Sequence, residues 1–457
     1  MSEGLVRSDI EGVHWPGLPS LAGAHILALL QQFEHSQWWA PATIRERQRM
    51  QLESLLLHAS ASVPFYAERL QKAGYRPDRP LTDEIWSAIP PLDRSAVQAA
   101  GNALNSARVP PTHGAIGTWK TSGSTGRPVT VLQTALVRQL RRAFTIRNHL
   151  WHGHDFSAKL AVIRNLPDGT AEYPQGMSLP HWGHVTEHVM ITGPSVGLAV
   201  TASTDQQVEW LERQQPEYLH AFATVAVDLL RHIRDHGGGP RRLRYLTTFA
   251  EALAPEARAL CREIWGIELV DIYSAREVGV IALQCPENEH YHVQSEGMLV
   301  EVLDERDHPC LPGEVGRVVV TPLHNFATPL IRYAIGDYAE AGAPCGCGRG
   351  LPVLTRVLGR VRNMLTLPDG RRIWPRLSET RYEEVAPIRQ YQVVQRSHDR
   401  LEVRLAAERA LTAAEEARLA DLIRARLGHP GFQFDFTYHD CIARTAGGKY
   451  EDFRSEI

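Results

Sequence analysis

The chain has 457 residues, 43% of them hydrophobic and 22% charged, with a formal net charge of −3. A single core rarely grows past roughly 250–300 residues, so at least two domains are expected, and the near-neutral balance argues against a nucleic-acid binder that works through bulk positive charge. No stretch approaches the roughly 18 apolar residues of a membrane span, no basic start leads into an apolar run, and six cysteines make no disulfide framework, so a reducing cytoplasm is the expected location.

Residues 22–75 carry apolar side chains at helical spacing, with a break at Pro64. "DEIWSAIPPLDRSAVQAAG" predicts a helix, a stop at Pro90–Pro91, and a second helix capped by Asp93. Further on, short apolar runs alternate with amphipathic segments. "KLAVIR", "PEYLHAF", "LRYLTTF" and "ELVDIYS" predict strands; "DQQVEWLERQ", "TVAVDLLRHIRDHGGG" and "APEARALCREIWG" predict helices. That alternation predicts an α/β fold, a large parallel sheet with crossover helices. After Glu296 the pattern becomes strands and turns, an antiparallel layer. From about Leu358 a strand, a long charged helix and another strand predict a small α+β unit. The expected division is residues 1–358 and 359–457.

"TSGSTGRPVT" crowds hydroxyl residues and glycines into one short stretch, Thr121, Ser122, Gly123, Ser124, Thr125 and Gly126, followed by Arg127. Glycines allow close backbone approach, hydroxyls and successive amides hold anions, and arginine adds fixed positive charge, so the segment suits phosphate oxygens. It reads equally as a polar hairpin loop on its own, and it is no Walker loop, because the G-x-x-x-x-G-K-[ST] pattern is absent.

Taken with later segments, this stretch resembles the phosphate-binding signature of the adenylate-forming superfamily, in its phenylacetate–CoA ligase branch. "TFAEALAPEAR", "DIYSAREVG", "PLIRYAIGDYAE", "LGRVRN" and "RTAGGKYEDFR" resemble further family segments in the family's order, as do "SVPFYAERLQKAGY" and "IPPLDRSAV" nearer the start. The resemblance implies a large domain with a mobile α+β lid and AMP-forming activation of a carboxylic acid, aryl or small acyl. It also implies roles for residues: 121–127, Tyr273, Ser274, Asp337 and Arg360 around ATP, Glu277 on Mg²⁺, and Lys449 as the mobile catalytic cation. Glu251, Phe222 and Ala223 would line the acyl site. Coenzyme A is the implied acceptor. Two departures, Arg362 in the hinge and "MLTLPDGRRIWP" after it, leave an amine or a carrier-protein thiol open as the acceptor. A degenerate nucleotide binder without turnover is the remaining alternative.

Cys285, His290 and His292 in "CPENEHYH", with Cys345 and Cys347 in "CGCGR", make up a candidate structural zinc set of three thiolates and one imidazole, His290 slightly preferred. Members of the phenylacetate–CoA ligase branch carry similar clusters. No membrane or nucleic-acid partner is expected; the expected ligands are the acid and the acceptor, and a homodimer is the default assembly.

Overall fold

A computed structural model describes residues 6–121, 128–254, 256–360, 364–375, 377, 382–444 and 450–457. Ser122, Gly123, Ser124, Thr125, Gly126, Arg127, Arg362 and Lys449 therefore lie outside the described residues.

Helices α1 (Leu21–Ser36), α2 (Pro41–Ser62) and α3 (Pro64–Lys72) come first. Pro64 occupies the first turn of α3, where a missing N–H breaks no helical bond. Then follow α4 (Asp83–Ala88) and α5 (Arg94–Ala100), the latter capped as expected, the Asp93 carboxylate accepting the Ala96 N–H at 2.7 Å. Strands β1 (Gly117–Lys120) and β2 (Thr130–Gln133) form a separate hairpin that leads into α6 (Ala135–Trp151).

The alternating region folds as β3 (Leu160–Arg164), β4 (Met177–Leu179), β5 (Ser195–Ala199), α7 (Thr204–Gln214), β6 (Tyr218–Phe222), α8 (Ala223–His236), β7 (Tyr245–Phe249), α9 (Ala257–Trp265) and β8 (Glu268–Ala275). Strands β3, β6, β7 and β8 lie side by side and parallel, as the alternation predicts, and β5, which sequence reading did not name, joins them parallel beside β3. One face buries Leu219, Ala221 and Leu246 against α7, α8 and α9, and the other is covered by α1 and α6. Period-two alternation makes this division: neighbouring residues of a strand face opposite sides.

The antiparallel part begins earlier than the texture change after Glu296. It starts with β9 (Gly279–Gln284), which doubles back on β8, and continues through β10 (Tyr291–Val293), β11 (Met298–Leu303), β12 (Val315–Pro322), β13 (Tyr333–Ala341) and β14 (Val353–Arg360). All join one 12-stranded mixed sheet. The expected 358/359 division falls inside β14.

The short pair β15 (Leu365–Thr366) and β16 (Arg372–Ile373) precedes a four-stranded sheet of β17 (Ile388–Gln395), β18 (Arg400–Ala407), β19 (Gln433–Tyr438) and β20 (Phe453–Ser455). Helix α10 (Ala413–Leu427) crosses from β18 to its parallel neighbour β19 and closes a core of its own, with Val403, Leu419 and Ile423 inside.

Beneath the parallel sheet, four histidines gather against Tyr218 and Tyr245. His149 Nδ1 is 2.9 Å from His154 Nδ1, the His154 ring stacks 4.5 Å from Tyr218, and the rings of His149 and His220 stack at 5.6 Å. Burial pulls His149 well below the ordinary imidazole range, His152 and His220 down to about 4, and His154 to about 3.

Candidate active site

Ligands of open parallel sheets bind beyond the C-terminal ends of the strands. Here those ends present Phe222, Glu251 and the β8–β9 turn with Glu277. The base of the β1–β2 hairpin, at Thr121 and Val129, lies on the same side. The stem is tied twice: Thr121 N–H donates to Val129 O at 2.9 Å, and Val129 N–H donates to Thr121 Oγ1 at 2.9 Å.

Arg94 links this stem to the β8–β9 turn. Its Nη2 donates to Thr121 Oγ1 at 2.9 Å, and its Nη1 lies 3.7 Å from Glu277 Oε1. Sequence reading missed Arg94, because an arginine just after a helix cap reads as an exposed side chain. Glu277 is only 4% exposed, and its Oε1 also accepts the Tyr333 hydroxyl at 3.4 Å. Both contacts are long, so the carboxylate keeps lone pairs for a hard cation. That donor chemistry fits Mg²⁺.

A second group forms across β8, β13 and β14. Asp337 and Arg360 are cross-strand partners, with Arg360 Nε 3.6 Å from Asp337 Oδ1. Tyr273 donates its hydroxyl to Asp337 Oδ2 at 2.8 Å, and burial together with that carboxylate pushes the phenol well above its ordinary range. Tyr273 is thus held edge-on by Asp337. Ser274 follows it at the end of β8, half-buried.

Glu251 sits at the seam between the large sheet and the small C-terminal unit. Its Oε2 accepts the Thr224 N–H at 2.9 Å and the Thr224 hydroxyl at 2.8 Å, while its Oε1 accepts the Tyr450 N–H at 3.0 Å. Burial nonetheless raises the Glu251 carboxyl above its ordinary value, those donors only partly offsetting it. Arg444, on the other side of residues 445–449, donates to Thr224 Oγ1 at 3.1 Å and lies 3.5 Å from Asp228. Phe222 and Ala223 are buried, Phe222 tilted against Phe249 at 5.3 Å between ring centres. Among the sequence-predicted acyl residues, then, Glu251 spends both oxygens on protein donors, and the other two pack in the core.

Far from this cleft, Cys285, His292, Cys345 and Cys347 present ligand atoms that all lie within 4.8 Å of one another. The Cys285 and Cys345 sulfurs are 3.9 Å apart, and the Cys347 sulfur is 3.4 Å from His292 Nε2. A tetrahedron with metal–sulfur bonds of ~2.3 Å has edges near ~3.8 Å, which the Cys285–Cys345 and Cys347–His292 separations approach, so the donor set suits a zinc ion. The preference for His290 is overturned: His292 joins the thiols, and His290 Nε2 is buried without a partner. His290 and His292 share one side of β10, but only His292 is brought to the cysteines by the pairing of β10 with β14. Burial lowers His292 to about 4, which keeps the imidazole neutral as a ligand must be. Arg349 lies between the indoles of Trp38 and Trp151, at 4.6 and 4.7 Å, and its hydrogen bonding holds the Cys347 thiol below its usual value against the effect of burial.

The model of a family described as AMP-binding enzyme matches residues 51–326. Phenylacetate–coenzyme A ligase of Thermus thermophilus is 26% identical over 376 residues, covering 79% of this chain and 80% of that protein. The ligase of the same name from Escherichia coli is 25% identical over 403 residues, with 82% and 86% covered. Among solved structures, a 2-hydroxyisobutyryl-CoA ligase in the postadenylation state superposes with a TM-score of 0.71 at 18% identity, covering 93% of this chain and 92% of that one.

Proposed function

The chain belongs to the AMP-binding enzyme family, in the likeness of its phenylacetate–CoA ligase branch, and from that premise we propose that it activates a carboxylic acid with ATP and passes the acyl group to coenzyme A. In the first step a carboxylate oxygen attacks the α-phosphorus, the bond to the β-phosphate oxygen breaks, and pyrophosphate leaves. In the second the thiol sulfur attacks the acyl carbon, the carbon–oxygen bond to AMP breaks, and the thiol proton is released.

The observation that carries this reading is the tie of Arg444 and Tyr450, the residues flanking 445–449, to Thr224 and Glu251 beyond the parallel strands. Lys449 belongs to that span and is the cation that offsets the charge gathered as two anions meet. Residues 121–127 and Arg94 hold the terminal phosphates, Asp337 takes the ribose hydroxyls, and Tyr273 borders the base, with Ser274 and Arg360 beside it. Glu277 would hold Mg²⁺, which would supply further charge neutralisation at the phosphates. Phe222 and Ala223 back the acyl site, and Glu251 fixes the lid against it. We assign the Cys285–His292–Cys345–Cys347 set a structural zinc, with no ligand position left for water. The lid is the unit beginning near residue 359. Thiols that must stay reduced suit a cytoplasmic protein.

The test is exchange of labelled pyrophosphate into ATP across a panel of carboxylic acids, followed by mass detection of products with coenzyme A or amines. Acid-dependent exchange and a thioester product are expected, and Lys449→Ala should slow exchange by orders of magnitude while sparing thioester formation from supplied adenylate. No exchange across a broad panel would refute the reading.

A further inference from the structure

Between Ala223 and Leu230, α8 buries every residue except Thr224 and Asp228. The two lie four apart, so they share one side of the helix. Both meet Arg444 of the C-terminal unit, whose Nη1 donates to Thr224 Oγ1 at 3.1 Å and whose Nη2 lies 3.5 Å from Asp228 Oδ2. Thr224 offers that guanidinium a neutral hydroxyl, and the hydroxyl is already donating to Glu251. The Glu251 oxygens are taken up by Thr224 and by the Tyr450 N–H. The carboxylate that pairs with Arg444 among the described residues is Asp228. Its side chain is 44% exposed, so α8 gains little burial from it, and a small apolar residue would serve the helix as well. One nitrogen facing one oxygen at half exposure makes a weak, reversible tie. The tie joins two units that each hold a core of their own, so its loss loosens their docking without unfolding either.

We propose that Asp228 is a positioning residue for the acid-activating step, holding Arg444 and thereby seating the stretch from Arg444 to Tyr450 against α8. The inference rests on the activation reading, in which Lys449 belongs to that stretch, and Asp228 acts through Arg444 rather than on the reacting atoms. Tyr450 reports the seating. Its hydroxyl donates to Tyr391 O of β17, inside the C-terminal unit, its ring lies 5.8 Å beneath the Arg444 guanidinium, and its N–H crosses to Glu251 at 3.0 Å. Without Asp228, Arg444 keeps only the neutral bond to Thr224 on this side of α8, and the Tyr450 N–H opens more often. Acyl transfer from a finished adenylate does not call on Lys449 and should not depend on Asp228.

Hydrogen exchange followed by mass spectrometry reads the docking directly. In Asp228→Ala the peptide holding the Tyr450 N–H should exchange ~5-fold or more faster, the factor that ~1 kcal/mol of a half-exposed pair represents, while α8 and β18 exchange as in the native protein. Asp228→Glu should restore part of the protection. In pyrophosphate exchange, Asp228→Ala should lose ~5-fold or more in kcat, with KM for ATP and for the acid within ~2-fold of native. Thioester formation from supplied adenylate should stay within ~2-fold. Native-like exchange at Tyr450 overturns the proposal, as does a kcat within ~2-fold of native. Equal loss in both half-reactions with faster exchange throughout α8 overturns it too, since Asp228 would then support the fold. If no acid supports pyrophosphate exchange in the native protein, the activation reading falls by itself, and the tie to Arg444 is judged on the Tyr450 N–H alone.

Discussion

Replacing Asp337 by asparagine tests the proposed ribose contact. The Asp337 side chain is 14% exposed, with Oδ2 accepting the Tyr273 hydroxyl and Oδ1 3.6 Å from Arg360 Nε. Asparagine keeps one acceptor for Tyr273 but turns the other oxygen into a donor. A ribose diol donating to the carboxylate would lose one charge-assisted hydrogen bond outright and see the other weakened to a neutral one. Bonds to charged groups contribute about 1.5–3 kcal/mol, and a net loss of that size raises KM for ATP by roughly 10- to 150-fold. The Arg360 pair is one-third exposed on its arginine side, so the fold should lose no more than about 1 kcal/mol. Pyrophosphate exchange gives KM for ATP and for the acid separately, and 2′,3′-dideoxy-ATP removes the same contact from the ligand side. The native enzyme should discriminate against the dideoxy nucleotide, the variant should not, and KM for the acid should move little. An ATP KM within ~3-fold of native, or equal discrimination by both proteins, refutes the ribose role.

The purified protein should carry one zinc per chain by elemental analysis; His292→Ala and Cys345→Ser should lose it with a lower Tm, whereas His290→Ala should retain it, and metal retained in His292→Ala would remove that imidazole from the set. Arg332 is 2% exposed, pairs with Glu301 through two nitrogens at 3.2 and 3.0 Å, and donates to the carbonyls of Trp86, Ser87 and Ile89. Arg332→Met strands a buried carboxylate and should cost about 3–5 kcal/mol in denaturant unfolding, and a loss below ~1 kcal/mol would contradict that. The four buried histidines have folded values below the unfolded one, so the unfolded chain gains protons first as pH falls below about 6.5, and stability drops at least until pH nears the folded values of about 3–4 of His152, His154 and His220. One unit below that point each costs at most ~1.4 kcal/mol, so Tm should fall steeply between pH 6.5 and 5, and a flat profile would show the cluster to be solvated.

Between Leu160 and Ala275, β3, β6, β7, β8 and helices α7 to α9 were legible because those apolar runs are bounded by turn residues and each helix by a cap or glycine, whereas the short runs of β4 and β5 were not. The antiparallel return of β9 was not. "GVIALQ" is apolar throughout, and such a run carries no information on whether its neighbour is parallel. The members of the cysteine–histidine cluster were legible as residue types, but the choice between two histidines on one side of β10 depends on the register of β10 with β14, which no local pattern encodes. Arg94 escaped notice for a similar reason: the contacts that give it a role, to Thr121 and Glu277, exist only after distant segments meet. The position of Glu251 depends on Ala250, a non-glycine residue at φ +70° just past β7. That strained turn carries no sequence signature and is the kind of backbone outlier that collects at functional sites.

The same turn explains how one carboxylate serves two elements. Past β7, the backbone bends at Ala250, and Glu251 reaches the first turn of α8 with one oxygen and the lid backbone with the other. Thr224 receives Arg444 as well, so the helix that follows the acyl-side strand β6 and the segment around Lys449 share partners. A shift at the start of α8 when an acid enters would therefore alter both anchors of residues 445–449 together. Residues sharing partners in one hydrogen-bond network couple by roughly 0.5–3 kcal/mol, enough to bias lid docking several-fold or more. On the proposed function, occupancy of the acyl site would then be linked to the C-terminal unit through Thr224 and Glu251 rather than through the nucleotide, whose proposed contacts at Asp337 and Tyr273 lie on other strands.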